Sequence, residues 1–292
     1  MSWRGCGCPL HGSLRRSGAR SSACSLLRIR QILRAVHSVS GDRGGAIESG
    51  FSQSDAACCA WTGTGVLHGQ EPVAALYAIA NLYPASNHLV ARAGSGINSV
   101  ADLRGRKVSL DEPGSGTLVD VQLILAVWGL SEADITPEYL KLNQAADLMS
   151  DGHMDAFFFV GGFPAGAIAE LATSRDITIV TLTGPEAGGV LKDYGFCAPN
   201  TIPAATCQGV DQDVATLAVG ALWITGASQS EELIYEITSA VWNKNSRALP
   251  DAGHAKGKEI VPDHALDGVG ISLHPGAERF CREAGPEIPA AE

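Results

Sequence analysis

Apolar residues along this chain fall into two kinds of stretch, short unbroken runs of four to eight and longer segments that repeat at helical spacing, with small-residue turns between them. From Gly45 onward the first such unit is Gly50 to Asp55, an apolar stretch ending in Gln53, Ser54 and Asp55, followed by an Ala-rich segment through Trp61. It predicts a strand, a loop and a helix, closed by the Thr62-Gly63-Thr64-Gly65 turn cluster. Val73 to Leu82 predicts a buried strand that Tyr83-Pro84 stops, and His88 to Arg92 another. Ser99 can cap a short helix that Gly105 ends, and Lys107 to Leu110 form the next strand. Leu118, Val121, Leu125 and Trp128 then recur at helical spacing, which predicts a helix from Thr117 to about Gly129.

The pattern repeats downstream. Glu138 to Leu140 reads as a strand, Asn143 to Met149 as a helix, and Met154 to Val160, with three consecutive phenylalanines, as a strand buried on both faces. Gly161-Gly162-Phe163-Pro164 ends it, and a helix over Ala165 to Ala172 follows, with Pro164 suited to its first turn. Ile177 to Leu182 is a further strand, Val214 to Thr225 is a long apolar stretch expected to re-enter the first half of the fold, Glu231 to Asn245 is a helix, and the tail from Leu266 ends in another. Strand-helix alternation of this kind predicts an α/β fold with mostly parallel central sheets, whose ligands bind beyond the carboxyl ends of the strands.

Two of the strand-to-helix turns carry candidate chemistry. Gly114-Ser115-Gly116-Thr117 stands between a strand and a helix, where the first helical N–H groups have no intrahelical partner and the aligned peptide dipoles make the end partly positive. Glycines admit a ligand to the backbone, and Ser115 and Thr117 add hydroxyls. The bland reading, a glycine turn whose hydroxyl only caps its helix, explains the same residues. Gly161 and Gly162 form a second turn with the same two readings. Neither is a nucleotide-phosphate loop, because no Gly-Lys-Ser/Thr follows.

Charge changes the picture at one end. The net charge of −10 conceals +7 from residues 1–43, eight arginines against Asp42, which leaves −17 for the remainder. A body that acidic is unsuited to nucleic acid. Residues 1–44, rich in Arg, Ser, Gly and Cys and without sustained periodicity, are expected to be disordered; the composition fits an organelle transit peptide or a shifted reading frame alike. The apolar stretch from Ala23 to Leu33 is broken by Arg28 and Arg30, so no export signal is expected, and no run of about 18 apolar residues predicts a membrane span.

The eight cysteines, Cys6, Cys8, Cys24, Cys58, Cys59, Cys197, Cys207 and Cys281, show no C-x-x-C pair and no zinc-like spacing with histidine, so no metal or other cofactor is expected. Cys58 and Cys59 read as core. His88, His153, His254, His264 and His274 are scattered without triad or metal spacing, and there is neither a Gly-x-Ser-x-Gly elbow nor a His-Glu-x-x-His helix. Binding rather than catalysis is the expectation.

Several segments, in order, resemble the TAXI family of solute receptors, the TRAP-associated extracytoplasmic immunogenic proteins. They are Phe51 to Asp55, Leu82-Tyr83-Pro84 before His88 to Arg92, Ser99 to Thr117, Asp151 to Phe158, Thr201 to Ala204, and Leu273 to Arg279. The resemblance covers about Gly45 to Gly285 and departs at the amino end, where family members carry a signal peptide, a first strand and a Gly-rich helix start. It implies a type II periplasmic-binding fold of two α/β lobes with a ligand cleft between them, a periplasmic location, and capture by the membrane subunits of a TRAP-type transporter. It implies a small carboxylate ligand, such as glutamate or another dicarboxylate, with Gln53, Ser54 and Asp55 on one side, Gly114, Ser115, Gly116 and Thr117 on the other, and Gly161 and Gly162 flanking. On this reading residues 1–44 are foreign to the fold, 45–92 and 206–292 form an incomplete first lobe, and 93–205 form the second. An enzyme on the same fold and a cytosolic ligand sensor are the alternatives.

Overall fold

The structure, a computed structural model, describes residues 48–64, 71–243, 246, 248–253 and 255–284. The Arg-rich segment 1–44, Cys6, Cys8, Cys24, Gly65, Asn245 and His254 lie outside the described residues. In chain order the elements are β1 (Ser49–Gln53), α1 (Ser54–Thr62), β2 (Leu76–Arg92), β3 (Lys107–Ser109), α2 (Gly116–Val127), β4 (Thr136–Glu138), α3 (Leu142–Ser150) and β5 (Ala156–Gly161). They continue with α4 (Gly166–Ser174), β6 (Ile177–Val180), α5 (Pro185–Asp193), β7 (Cys197–Ile202), β8 (Val214–Gly226), α6 (Glu231–Trp242), α7 (Ala248–Gly253) and α8 (Pro275–Ala284). The α/β class expected from the alternation is what forms.

The chain divides into two compact units, the first running to Tyr83 with Asp193–Phe196 and everything from Gly220, the second comprising Pro84–Lys192 and Cys197–Val219. Both changeovers fall inside the two longest strands, β2 and β8. That β2 is a single strand of 17 residues corrects the expectation that Tyr83-Pro84 stops it. A proline lacks only its N–H, and a strand accepts one where the ladder asks no donor of that residue.

In the first unit, β1 pairs antiparallel with the second half of β8, from Ser49 against Thr225 to Gln53 against Ala221. The early part of β2 is held by the segment before α8: the Ala78 N–H donates to the Ser272 carbonyl, the His274 N–H to the Ala78 carbonyl and the Asn81 N–H to the Ala265 carbonyl. Its core joins Ala57, Cys59, Ala60, Leu76, Ala78, Leu222, Ile224, Val269 and Ile271. Cys58 and Cys59 are both buried, as their place in the apolar helix suggested.

In the second unit, β3 pairs parallel with β4 and β5, while β5 and β6 both pair antiparallel with β2, and β7 antiparallel with β8. Mostly parallel sheets therefore do not form. Among the described strands the parallel ladders join β3 to β4 and β5, the strands linked by helical crossovers, with one further parallel bridge between Ala78 and Leu273; the long strands return in the opposite sense and pair antiparallel with β1, β5, β6 and β7. Phe157 is fully buried, packed in a core with Val90, Met149, Met154, Ile168, Leu171 and Ile202. A polar row shares this interior. The Thr216 hydroxyl donates to the Asn87 carbonyl at 2.6 Å, the Asn87 amide to the Leu217 carbonyl at 3.3 Å, and the Asn200 amide to the Ser86 hydroxyl at 2.8 Å.

The helices start where the caps allow. Ser230 caps α6 by accepting the Leu233 N–H at 3.2 Å, and Ser99 and Asp102 form a reciprocal capping box on a short 3-10 turn. The helix expected over Ala165 to Ala172 begins at Gly166 with Ala165 as its cap, so Pro164, expected in its first turn, lies outside it. No described helix is long and apolar enough to cross a membrane. Phe157→Ala is expected to lower stability by about 3–5 kcal/mol in urea denaturation, through the cavity it leaves; a loss below about 1 kcal/mol would show that the unit does not close around that ring.

Candidate functional site

The residues singled out from the sequence fall into one cluster in each unit. In the second unit, β3 ends at Ser109 and a turn shaped by Asp111 (φ 70°) and Gly114 (φ 90°) delivers the chain into α2. Both residues lie in the left-handed region, which an aspartate tolerates and glycine adopts without strain. The Ser115 N–H donates back to the Glu112 carbonyl at 3.1 Å, and the Ser115 hydroxyl accepts the Leu118 N–H at 3.1 Å. The bland reading of Ser115 as a helix cap is thus realised. Thr117, buried, is engaged too: its hydroxyl accepts the Val160 N–H at 3.2 Å.

That last bond brings the two predicted turns together, since Val160 and Gly161 end β5. Gly161 lies under the Phe159 ring, which leaves no room for a side chain, and Gly162 follows half-buried in the loop to α4. Both hydroxyls accept a backbone N–H and keep their own hydrogens to donate, and α2 presents backbone N–H groups to an anion as well. The N–H groups of Gly116 and Thr117 open the helix and have no carbonyl one turn earlier to accept them. No acidic side chain stands in the first turn of α2 to neutralise its positive end.

In the first unit, Gln53, Ser54 and Asp55 stand at the junction of β1 and α1. Ser54 is completely buried and its hydroxyl is used twice, donating to the Phe196 carbonyl at 3.2 Å and accepting the Gly220 N–H at 2.8 Å. Asp55, also buried, is the acid of that first turn. Two residues that the sequence reading passed over complete this cluster. Gly220 stands in β8 so close to its neighbours that a side-chain carbon there would be 2.8 Å from Asn81 Oδ1 and 3.4 Å from the Ser54 Cβ. Asn81, on β2 and 3% exposed, donates its amide to the His264 carbonyl at 3.1 Å. Both had a sequence signal: a lone asparagine in the apolar run Ala78 to Leu82, and a lone glycine in Val214 to Thr225, where an isolated strand glycine marks a close approach.

Near the end of the chain, His274 accepts the Gly276 N–H on Nδ1 at 3.2 Å, so its Nε2, 3.2 Å from the Gln229 carbonyl, carries the proton. Burial pushes its pKa below the ordinary imidazole value, against smaller opposing effects of the Gln229 carbonyl and Glu231. Burial likewise pushes the Cys207 and Cys281 thiols up, which disfavours a nucleophilic thiolate at either. No group of three or more metal-ligating side chains exists among the described residues.

These features define a two-unit α/β protein with buried polar residues at the helix starts of both units. The chain belongs to the NMT1-like family, whose model matches residues 35–285. Among solved structures it is similar to the periplasmic aliphatic sulphonate binding protein SsuA from Escherichia coli, at 14% identity over 87% of this chain and 67% of that one, with a TM-score of 0.43. It is also similar to the amino acid transporter substrate-binding protein AbpA from Streptococcus pneumoniae, bound to L-arginine, at 14% identity over 85% of each chain and a TM-score of 0.40. The L-cystine solute receptor of Neisseria gonorrhoeae matches at 16% identity over 72% of this chain and 68% of that one, with a TM-score of 0.34.

Two outcomes follow from this geometry. Ser54→Ala strands the buried Gly220 N–H and is expected to cost about 1–3 kcal/mol in denaturant unfolding; an unchanged midpoint would show that the Gly220 N–H finds another acceptor. For His274, the unfolded chain binds a proton that the folded one refuses, so stability falls as pH drops through the ordinary imidazole value of about 6.5 toward the lower folded value. Melting curves between pH 7.5 and 5 should show that decline, and His274→Gln should flatten it.

Proposed function

We propose that this protein is the extracytoplasmic solute receptor of a TRAP-type transporter, of the TAXI kind that its motifs resemble, and that it binds a small carboxylate, such as glutamate or another dicarboxylate, without transforming it. The proposed location is the periplasm, and the proposed partners are the transporter's membrane subunits. Family membership and the two-unit α/β architecture support a receptor.

The observation that carries the ligand class is the start of α2. There Gly114 turns the chain, Ser115 caps the helix through Leu118, and the N–H groups of Gly116 and Thr117 stay directed out of the helix end. We assign the carboxylate to Gly114, Ser115, Gly116 and Thr117, with Gly161 and Gly162 flanking them. Gln53, Ser54 and Asp55 of the first unit are proposed as further ligand contacts. Because Ser54 is committed on both sides to Phe196 and Gly220, its part is to hold the start of α1 in place.

A thermal-shift panel of glutamate, 2-oxoglutarate, succinate, an alkanesulfonate and L-arginine tests the reading. A dicarboxylate at a hundredfold excess over its Kd should stabilise the protein by about 2.7 kcal/mol. Ser115→Leu should melt slightly earlier, having lost a cap worth about 1 kcal/mol, and show no ligand response. A flat panel defeats the receptor reading; a response to the sulfonate alone defeats the carboxylate assignment; equal affinity in Ser115→Leu moves the anion seat elsewhere.

A further inference from the structure

Building on the receptor reading, we infer that Lys141 is the cation that grips the second carboxylate of a dicarboxylate seated at the start of α2, and that it lets go of Glu112 to do so.

All the groups concerned belong to the second unit. Strands β3, β4 and β5 run parallel, so Ser109, Glu138 and Gly161 end them in one sense, and α2, α3 and α4 begin beyond those ends. None of the three helices carries an acidic side chain in its first turn to offset its positive end. Lys141 stands there as the residue before α3. It is held beside the turn into α2, because the Leu110 N–H donates to the Glu138 carbonyl at 2.9 Å and the Ser109 hydroxyl to the Leu140 carbonyl at 3.3 Å. Its Nζ lies 3.7 Å from a carboxylate oxygen of Glu112, the residue whose carbonyl accepts the Ser115 N–H.

Charge selects Lys141 for the task. The connections that leave the three strand ends, 110–115, 139–141 and 162–165, hold Asp111, Glu112 and Lys141 as their charged residues. Two uncompensated acids would repel an anion from the turn, and Lys141 offsets one of them. The pair is open to solvent, its side chains 67% and 46% exposed, so a solute reaches both heads. An ion pair that exposed contributes little to stability, and a lysine head on a flexible four-carbon stem can exchange one carboxylate for another. The exchange is favoured when the incoming carboxylate belongs to a solute already held by the N–H groups of α2, since the second contact is then intramolecular. A monocarboxylate leaves Lys141 on Glu112 and gains nothing from it.

Calorimetric titration with two matched pairs tests it: L-glutamate against L-norvaline, and glutarate against pentanoate, each pair sharing a carbon chain and differing in the second carboxylate. The wild type is expected to bind the diacid of at least one pair about tenfold or more tightly than its monoacid. Lys141→Gln should bring that ratio to within about twofold by weakening the diacid alone, and Lys141→Arg should keep most of it. Glu112→Gln should raise diacid affinity, opposite to Lys141→Gln, because it removes the competing carboxylate; a pair with a purely structural role would lower it in both variants. Equal diacid and monoacid binding in the wild type, an undiminished ratio in Lys141→Gln, or a diacid affinity that does not rise in Glu112→Gln overturns the inference and leaves the receptor standing. If no acid of either pair binds the wild type, receptor and inference fall together.

Discussion

Strands β2 and β8 must each satisfy their backbone hydrogen bonds in two different surroundings along one continuous run. The early residues of β2 give their bonds to the segment around Ala265 to His274, and its later residues pair with β5 and β6. In β8 the order is reversed, β7 taking Val214 to Val219 and β1 taking Ala221 to Thr225. A slip of one residue in either strand would turn every side chain on it to the opposite face. The register of each strand therefore decides which of its polar residues are buried.

That dependence explains why polar side chains are tolerated inside. Asn81 sits opposite a carbonyl from His264, Asn87 opposite one from Leu217, and Ser54 between Phe196 and Gly220. Each of these bonds spans more than a hundred residues of sequence, so each exists only once the fold is complete. Such contacts add little to net stability individually, but any alternative packing would strand them, which penalises misregistered states.

At the candidate site the hydroxyls and the backbone divide the labour. The Ser115 hydroxyl accepts in the cap of α2 and the Thr117 hydroxyl accepts from the end of β5, and each keeps its own hydrogen free to donate. Their structural use does not remove the anion-binding character of the turn. It holds the first N–H groups of α2 in a fixed direction, and a preorganised donor loses less on binding than a mobile one.

Local periodicity alone determined most of the elements: the alternation of apolar runs with helical repeats gave α1, α2, α3, α6 and α8 nearly in place, along with the α/β class, and Gly-Ser-Gly-Thr marked a helix start. Those signals are encoded within a few residues, where sterics and capping act. Tertiary structure alone decided that β2 runs unbroken through Tyr83-Pro84, that the long strands pair antiparallel, and that α5 and β7 form in a stretch with no clear repeat. It also decided that Asn81 and Gly220, 139 positions apart in the chain, meet beside Ser54. A strand's partner and a buried side chain's neighbour are set by long-range closure of the chain, and no window of adjacent residues contains that information.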